Sequence, residues 1–360
     1  MECGVCTGSC PVAMEMDTFS PRQMIKRTIS EPEEEILGSK DIWACLSCSR
    51  CSDRCPVEID FPEFIRSYRE KARQADNLPK LSHHGMFHTI TGIQARGVKQ
   101  NRTGWAKEAA DISETGDYFY FSGCVAYYDV AFRYLDLNMI QTAKNHLKIL
   151  NRMGIKPVVS DDECCCGHDA FWCGDEKTFM TLARKNIETI QATGAKTVIF
   201  GCPEGYSMFR EAYTNKLGSL PFEIAHITEF LAENLAKTDV PFKKEFETCV
   251  TFQDPCRLGR RSGIYDAPRD LINMVPGATL VEMEHNRENA VCCGTTGWME
   301  CSTCSKIMQI QRLKEAEAAG AQAIVTACPK CQIHLTCAKK NTDHNIDVID
   351  LATFLAANID

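Results

Sequence analysis

The order of apolar and polar positions divides the 360-residue chain into a helical start, a weakly patterned middle and a long alternation of strands and helices. Ser20-Pro21 opens a helix running to about residue 29, with Ser as N-cap and Pro in the first turn. Asp60-Phe61-Pro62 opens another to about 75. Residues 76–116 carry Gly, Asn, Thr and scattered charge with weak periodicity, and read as a connector. Its histidines His83, His84 and His88 read as exposed loop residues, with a metal role as the alternative. From 117 onward, short β-type runs alternate with amphipathic helices. Strands are expected at 118–122, 156–159 and 197–200, and helices at 135–153 and 176–192. A second series gives strands at 249–253, 278–281 and 323–326, and helices at 267–274 and 302–319.

The two series are copies of one unit. The first carries Cys124, then Cys164-Cys165-Cys166-Gly167, then Cys202-Pro203-Glu204-Gly205. The second carries Cys256, then Cys292-Cys293-Gly294, then Cys328-Pro329-Lys330-Cys331. Cys166 and Cys293 are 127 residues apart, and Cys202 and Cys328 are 126 apart. Strand, helix, strand implies parallel α/β layers with right-handed crossovers. The cysteines follow the strands, where α/β sheets gather ligands beyond their carboxyl ends. The expected fold is α/β, two pseudo-symmetric Rossmann-like repeats behind an N-terminal α-helical module. The expected divisions are 1–75 (cluster module), 76–116 (connector), 117–240 (first repeat) and 241–360 (second repeat).

Twenty-two cysteines change the picture; apolar and charged content, 44% and 24%, are ordinary. Disulfide scaffolds are short and carry a leader. Here Cys3 follows Met1 almost at once, no charged-then-apolar leader is expected, and no run of ~18 apolar residues suggests a membrane span. The cysteines therefore read as metal-held thiolates in a reducing, cytoplasmic setting. A net charge of −8 without a basic block argues against nucleic acid. Any work at a membrane would need an anchor from another subunit.

Cys45-Leu-Ser-Cys48-Ser-Arg-Cys51-Ser-Asp-Arg-Cys55-Pro56 is the two-cluster ferredoxin run, and Cys3, Cys6 and Cys10-Pro11 form its partner. In that pattern the last cysteine of each run crosses to the other cluster. Cys45, Cys48, Cys51 and Cys10 would hold one cubane [4Fe-4S] cluster. Cys3, Cys6 and Cys55 would hold the other, one ligand short: the fourth would fall just before Met1. A later start, a substitute ligand or a three-iron cluster are the alternatives. Structural zinc, which favours paired C-x2-C units, fits the pattern worse.

In the second repeat, thirty-five residues separate Cys256 from Cys292 and thirty-four separate Cys293 from Cys328. Five thiolates exceed one cubane's need. Adjacent cysteines can ligate neighbouring irons of a larger cluster, and Gly294 relieves the crowding. Cys…Cys-Cys-Gly…Cys-x2-Cys resembles the CCG domains of heterodisulfide reductases. Asp254-Pro255-Cys256-Arg257-Leu258-Gly259, Asn286-Arg287-Glu288-Asn289-Ala290 and Cys165-Cys166-Gly167-His168-Asp169 resemble the single-chain form of the catalytic subunit. That form fuses a ferredoxin module to two CCG domains. The resemblance implies a non-cubane [4Fe-4S] cluster on Cys256, Cys292, Cys293, Cys328 and Cys331. It also implies reductive cleavage of the disulfide between coenzyme M and coenzyme B, one electron at a time. A flavoprotein or a membrane cytochrome b subunit would donate the electrons. The first repeat departs from the motif: Gly205 replaces the last cysteine, and Cys164 and Cys173 are extra. It either shapes the pocket or holds a different cluster through Cys124, Cys165, Cys166 and Cys202.

Disulfide cleavage releases thiolates that need charge stabilisation or a proton. His168, Glu204, Arg257, Arg260 and Arg261 are candidates, with His168 and Arg257 foremost; surface salt bridging is the alternative for each. Trp298 would cover the cluster or simply pack. Cys301 and Cys304 read as a helix-start pair facing the core, and Cys249 and Cys337 as small buried residues. Two other functions share this layout: a CCG subunit of a flavoprotein dehydrogenase delivering electrons to quinone, and an electron-transfer adaptor without a substrate.

Overall fold

The computed structural model describes residues 3–238, 240–242 and 247–359. The first two residues of the expected cluster module, and residues 239, 243–246 and 360 of the repeats, lie outside them.

The module is helical as expected. Ser20 Oγ accepts the Gln23 N–H at the start of the Pro21–Ser30 helix, and Asp60 caps Phe61–Gln74 in the same way. Phe19, Met24, Ile36, Ile42, Phe61 and Ile65 form its core. That core continues into Cys173 of the first repeat and into Val291, Met299 and Met308 of the second. The module is therefore wedged against both repeats.

Residues 76–116 are more structured than their pattern suggests. A 3-10 turn, Ser82–Gly85, leads into the helix Met86–Ala95, and Gly104–Ala109 is a further helix. Met86–Ala95 packs on the Glu176–Ala192 helix. Its buried positions, Phe87, Thr91 and Gln94, mix apolar and polar residues, so no apolar stripe marks it. Of the three histidines only His88 lies in a helix; His83 and His84 sit in a turn with left-handed backbone, at φ 49° and 54°. His83 and His84 are exposed, His83 also standing edge-on to Phe87, Phe132 and Trp298, and half-buried His88 has Nε2 2.7 Å from the Gly297 carbonyl.

Each repeat builds a parallel sheet. The first is β1 (Tyr118–Phe121), β2 (Thr197–Phe200) and β3 (Glu223–His226), in that order. The second has the order β5-β4-β6-β7, from β4 (Thr248–Gln253), β5 (Ala278–Leu280), β6 (Ala323–Thr326) and β7 (Asp347–Asp350). The expected strand 156–159 shrinks to a bridge at Val158, whose N–H donates to Tyr118 O and whose carbonyl accepts from Tyr120 N. Pro157 has no N–H to extend that ladder. Val158 stands where β5 stands in the other repeat, so the two layouts match. The edge strands β3 and β7, Glu-Ile-Ala-His and Asp-Val-Ile-Asp, carry too little apolar pattern to have been expected. The helix expected over 135–153 begins at Met139. Asp136, at φ 60°, closes the turn Arg133–Leu135, and Asn138 caps the new start.

The repeats exchange helices. Ile227–Leu235, after β3, packs on Asp266–Asn273, after β4; Leu351–Ala357, after β7, packs on Met139–Arg152, after β1. One continuous apolar core results, containing Phe200 and Leu231 with Phe252, Leu271 and Phe354. The carboxyl ends of both sheets therefore face one another, and the cysteine loops meet between them.

Candidate iron–sulfur site

The Cys45–Cys51 loop winds through left-handed backbone at Ser47 (φ 49°) and Ser49 (φ 64°), a strained conformation for a residue with a Cβ. The coil turns the Ser47 N–H onto Cys45 Sγ at 3.3 Å. Arg69, fully buried on the Phe61–Gln74 helix, latches the loop: its guanidinium donates to the carbonyls of Ile42, Cys45 and Trp172. Cys10, Cys45, Cys48 and Cys51 are buried; Cys6 and Cys55 are half-buried and Cys3 is exposed. Burial pushes the Cys10 thiol up to about 12 and raises Cys45 and Cys51 as well. Thiols so placed lose their protons only when a metal takes the proton's place. The N–H groups of Arg50 Nε and Arg260 Nη2 are buried beside this loop with no partner. Converging buried thiols with unspent N–H donors around them fit an iron–sulfur cluster, whose sulfurs accept such bonds.

The second repeat supplies the densest cysteine group. Cys292, Cys293, Cys328 and Cys331 are buried in one cluster with Cys48 of the module, and half-buried Cys256 packs against it. Gly294, at φ 83°, brings the Cys292-Cys293 loop onto the Thr303–Ala318 helix; a Cβ there would lie 2.8 Å from Ser305 O. Hydrogen bonds from Cys292 and Cys331 lower the Cys293 thiol to about 6, and bonds from Cys202 and Cys331 hold Cys328 well below its usual value.

The four cysteines grouped together in the first repeat lie near one another, Cys202 acting on the Cys166 thiol and raising it. Cys124 Sγ lies 3.7 Å from Cys165 Sγ, with Cys166 beside Cys165. Cys202 also faces Cys328 across the junction of the repeats, and that neighbour raises its thiol. A Cβ on Gly205 would lie 3.9 Å from Cys166 Cβ and 3.1 Å from the Phe200 ring, so the place of the missing cysteine still adjoins the pair. Cys173 is buried under the module with Sγ 3.8 Å from His88 Nδ1. Cys301 is exposed rather than core-facing, because the helix begins two residues later; Cys304 is half-buried against the module core. Cys249 and Cys337 are half-buried, not buried: β4 starts at the sheet's rim, and Lys306 Nζ reaches Cys337 Sγ at 3.1 Å.

Where the loops meet, five buried polar residues form a knot. His168 donates from Nδ1 to Asp169 Oδ1 at 3.0 Å and accepts at Nε2 from Arg257 Nε at 3.1 Å. Burial, with Lys330 and Arg257 nearby, lowers His168 to about 3, so it is neutral with one fixed tautomer. Lys330 Nζ bonds Asp169 and lies 2.9 Å from Glu204 Oε2. Burial pushes Glu204 up to about 8 against the pull of Lys330; burial also works on Asp169, but Lys330 and His168 outweigh it and hold that carboxyl well below its usual range. Lys330 was missed as a site residue. A signal existed: Lys330 and Glu204 occupy the same place in the two copies, 126 residues apart, with opposite charge.

Of the three arginines Arg257 is buried and Arg260 and Arg261 are half-buried. Arg257 is 3% exposed, donates to Ser47 O at 2.7 Å and lies 4.4 Å over the Trp172 ring. Arg260 Nε donates to Cys48 O at 2.8 Å. Arg261 does form a salt bridge, to Glu211, and also donates to Ser49 Oγ. Trp298 is buried beside the Cys293 loop, stacked 4.4 Å from Phe87 and 5.1 Å from Lys330 Nζ.

Comparison with known proteins agrees with this geometry. A family model described as a cysteine-rich domain, CCG, matches residues 118–210 and again 250–336, half of the chain. The chain belongs to the CCG family. A 4Fe-4S dicluster domain model matches residues 1–59. The protein is an iron–sulfur oxidoreductase with a dicluster [4Fe-4S] module and two CCG domains. It is 28% identical to one subunit of the dihydromethanophenazine:CoB–CoM heterodisulfide reductase of Methanosarcina barkeri, over 94% of this chain and 81% of that one. It is 27% identical to an EtfAB:quinone oxidoreductase of Syntrophomonas wolfei, over 82% of this chain and 43% of that one. A hypothetical protein from Helicobacter pylori shares the fold at TM-score 0.61 and 13% identity, across 94% of this chain and 66% of that one. No helix among the described residues is long and apolar enough to cross a membrane.

Proposed function

We propose that the chain is a disulfide-reducing subunit in which electrons pass through the module's two cubanes to a cluster held by Cys256, Cys292, Cys293, Cys328 and Cys331. The observation carrying this reading is the shared burial of Cys48 with those second-repeat thiols. The ligand of the inner cubane and the ligands of the second site are neighbours, so no further carrier is needed between them. Cys10, Cys45, Cys48 and Cys51 would hold the inner cubane. Cys3, Cys6 and Cys55, at the accessible end, would hold the outer one, facing a flavoprotein or cytochrome partner.

Bound there, a non-cubane cluster supplies single electrons to a disulfide sulfur. The net reaction consumes two electrons and two protons for each disulfide and releases two thiols. The chain's own residues shape that site. Gly294 lets the two adjacent thiols approach the helix. Arg257, fixed by His168 and Ser47 O, adds a positive charge to the same junction. Half-buried Cys256 marks the side open to a substrate. The reading suits a reducing cytoplasm, with membrane attachment through a partner.

Electron paramagnetic resonance during a redox titration, with and without coenzyme M, tests this. A new signal appearing under oxidising conditions with the thiol, and lost in Cys328→Ala, is expected. Iron near twelve per chain fits a filled second site, and about eight fits an empty one. The EtfAB:quinone oxidoreductase relative supports a second reading, delivery of electrons to quinone. It prevails if the reduced protein is reoxidised by quinone and not by disulfide.

A further inference from the structure

Three arginines meet where the module, the Cys256 loop and the Thr303–Ala318 helix come together. Arg50, next to Cys51, is 5% exposed; its Nε has no partner and it forms no ion pair among the described residues. Arg260 is held by the carbonyls of Cys48, Glu288 and Ala290, and its Nη2 is unpartnered. Arg312 is fully buried; Gln253 and the His285 carbonyl bind it, Glu315 pairs with Nη1, and Nη2 is unpartnered.

They act on one another. Burial lowers Arg50, and Arg54 and Arg260 lower it further; burial also lowers Arg312, with Arg50 and Arg260 adding to that. The nearby carboxylates are committed. Asp254 is bound bidentate by Arg269 at 2.8 and 2.9 Å, and Glu315 already serves Arg312 and His285. Two buried guanidiniums and the half-buried Arg260, each with a spare N–H and one carboxylate among them, are costly unless an anion joins them. Arg260 lies against the cysteine cluster: its Nε donates to Cys48 O at 2.8 Å, and Cys48 packs with Cys292 and Cys256. Cys48 belongs to the inner cubane set, and Cys256 and Cys292 to the second-repeat set.

We propose that Arg50, Arg260 and Arg312 form one cationic site for the sulfur anions of both clusters, setting their reduction potentials and coupling the two centres. Reduction adds negative charge without moving atoms far. Buried cations beside the cysteine loops stabilise the reduced state and raise its potential. The second-repeat half of the proposal rests on the cluster assigned there above; the Cys48 half does not.

The test is a redox titration of the complete iron-loaded protein followed by electron paramagnetic resonance. In Arg260→Gln the inner cubane should become at least tenfold harder to reduce, about 59 mV for a one-electron couple. Arg260→Lys should recover part of this. Arg287→Gln, removing an exposed arginine paired with Asp266 on the same side, should leave the potential unchanged. Arg50→Gln guards against misfolding, because the Arg50 Nε has no hydrogen-bond partner to lose; its cubane should shift in the same direction. Parental potentials in Arg50→Gln and in an iron-replete Arg260→Gln overturn the proposal. Absence of any second-repeat signal would sink the disulfide reading alone, because the inner cubane still reports on the arginines.

Discussion

At the scale of single residues, Lys330 has the largest consequences. It is an ammonium enclosed by Asp169, Glu204 and the Trp298 ring. Removing one partner of a buried ion pair strands the other charges, which typically costs about 3–5 kcal/mol. Lys330→Met should lower the holoprotein's unfolding free energy by that amount in a denaturant titration. Adding Asp169→Asn should restore part of it, since the stranded Asp169 carboxylate is then gone. Equal losses in the single and double variants would mean that the knot contributes through packing alone.

At the scale of elements, the two edge strands end in matched caps. His226, after β3, accepts the Thr228 N–H, and Asp350, after β7, accepts the Ala352 N–H. Burial raises Asp350 to about 7. Its carboxyl ionises in the unfolded chain near 4 but in the folded chain only near 7. The folded state therefore holds the extra proton between those values, and stability falls as pH rises from about 4 to 7, then levels. The full penalty is on the order of 4 kcal/mol. Asn caps a helix as well as Asp does. Asp350→Asn should therefore stabilise the protein, by more at pH 7.5 than at pH 5.5 and by the same amount at pH 7.5 and 8.5, in thermal melts. Elements of this kind were partly legible in the chain. Strands such as Thr197–Phe200 and Ala323–Thr326 were readable because they are continuous apolar runs buried on both faces. Met86–Ala95 and the edge strands were not, because their burial comes from neighbours distant in sequence.

At the scale of the whole molecule, the exchanged helices make the repeats one folding unit. Leu271 is fully buried on Asp266–Asn273, against the Ile227–Leu235 helix of the other repeat. Leu271→Ala should cost about 2–5 kcal/mol. Hydrogen exchange should then quicken in β2 as well as in β6. Exchange confined to the second repeat would show that the two halves open independently.

The sequence alone determined the chemistry and the local architecture. Cysteine spacing specifies how many thiolates one loop can present, and the repeat offset specifies that two such loops exist on equivalent strands. Both are properties of short stretches, carried by bond geometry and local periodicity. Tertiary structure alone decided which thiols face one another across the repeats: Cys48 with Cys292, and Cys202 with Cys328. It also decided that Lys330 and Glu204 would meet and that three arginines would share one buried space. Those pairings depend on how two sheets and a helical module pack, which is set by the summed burial of a core spanning both repeats and is not written in any single segment.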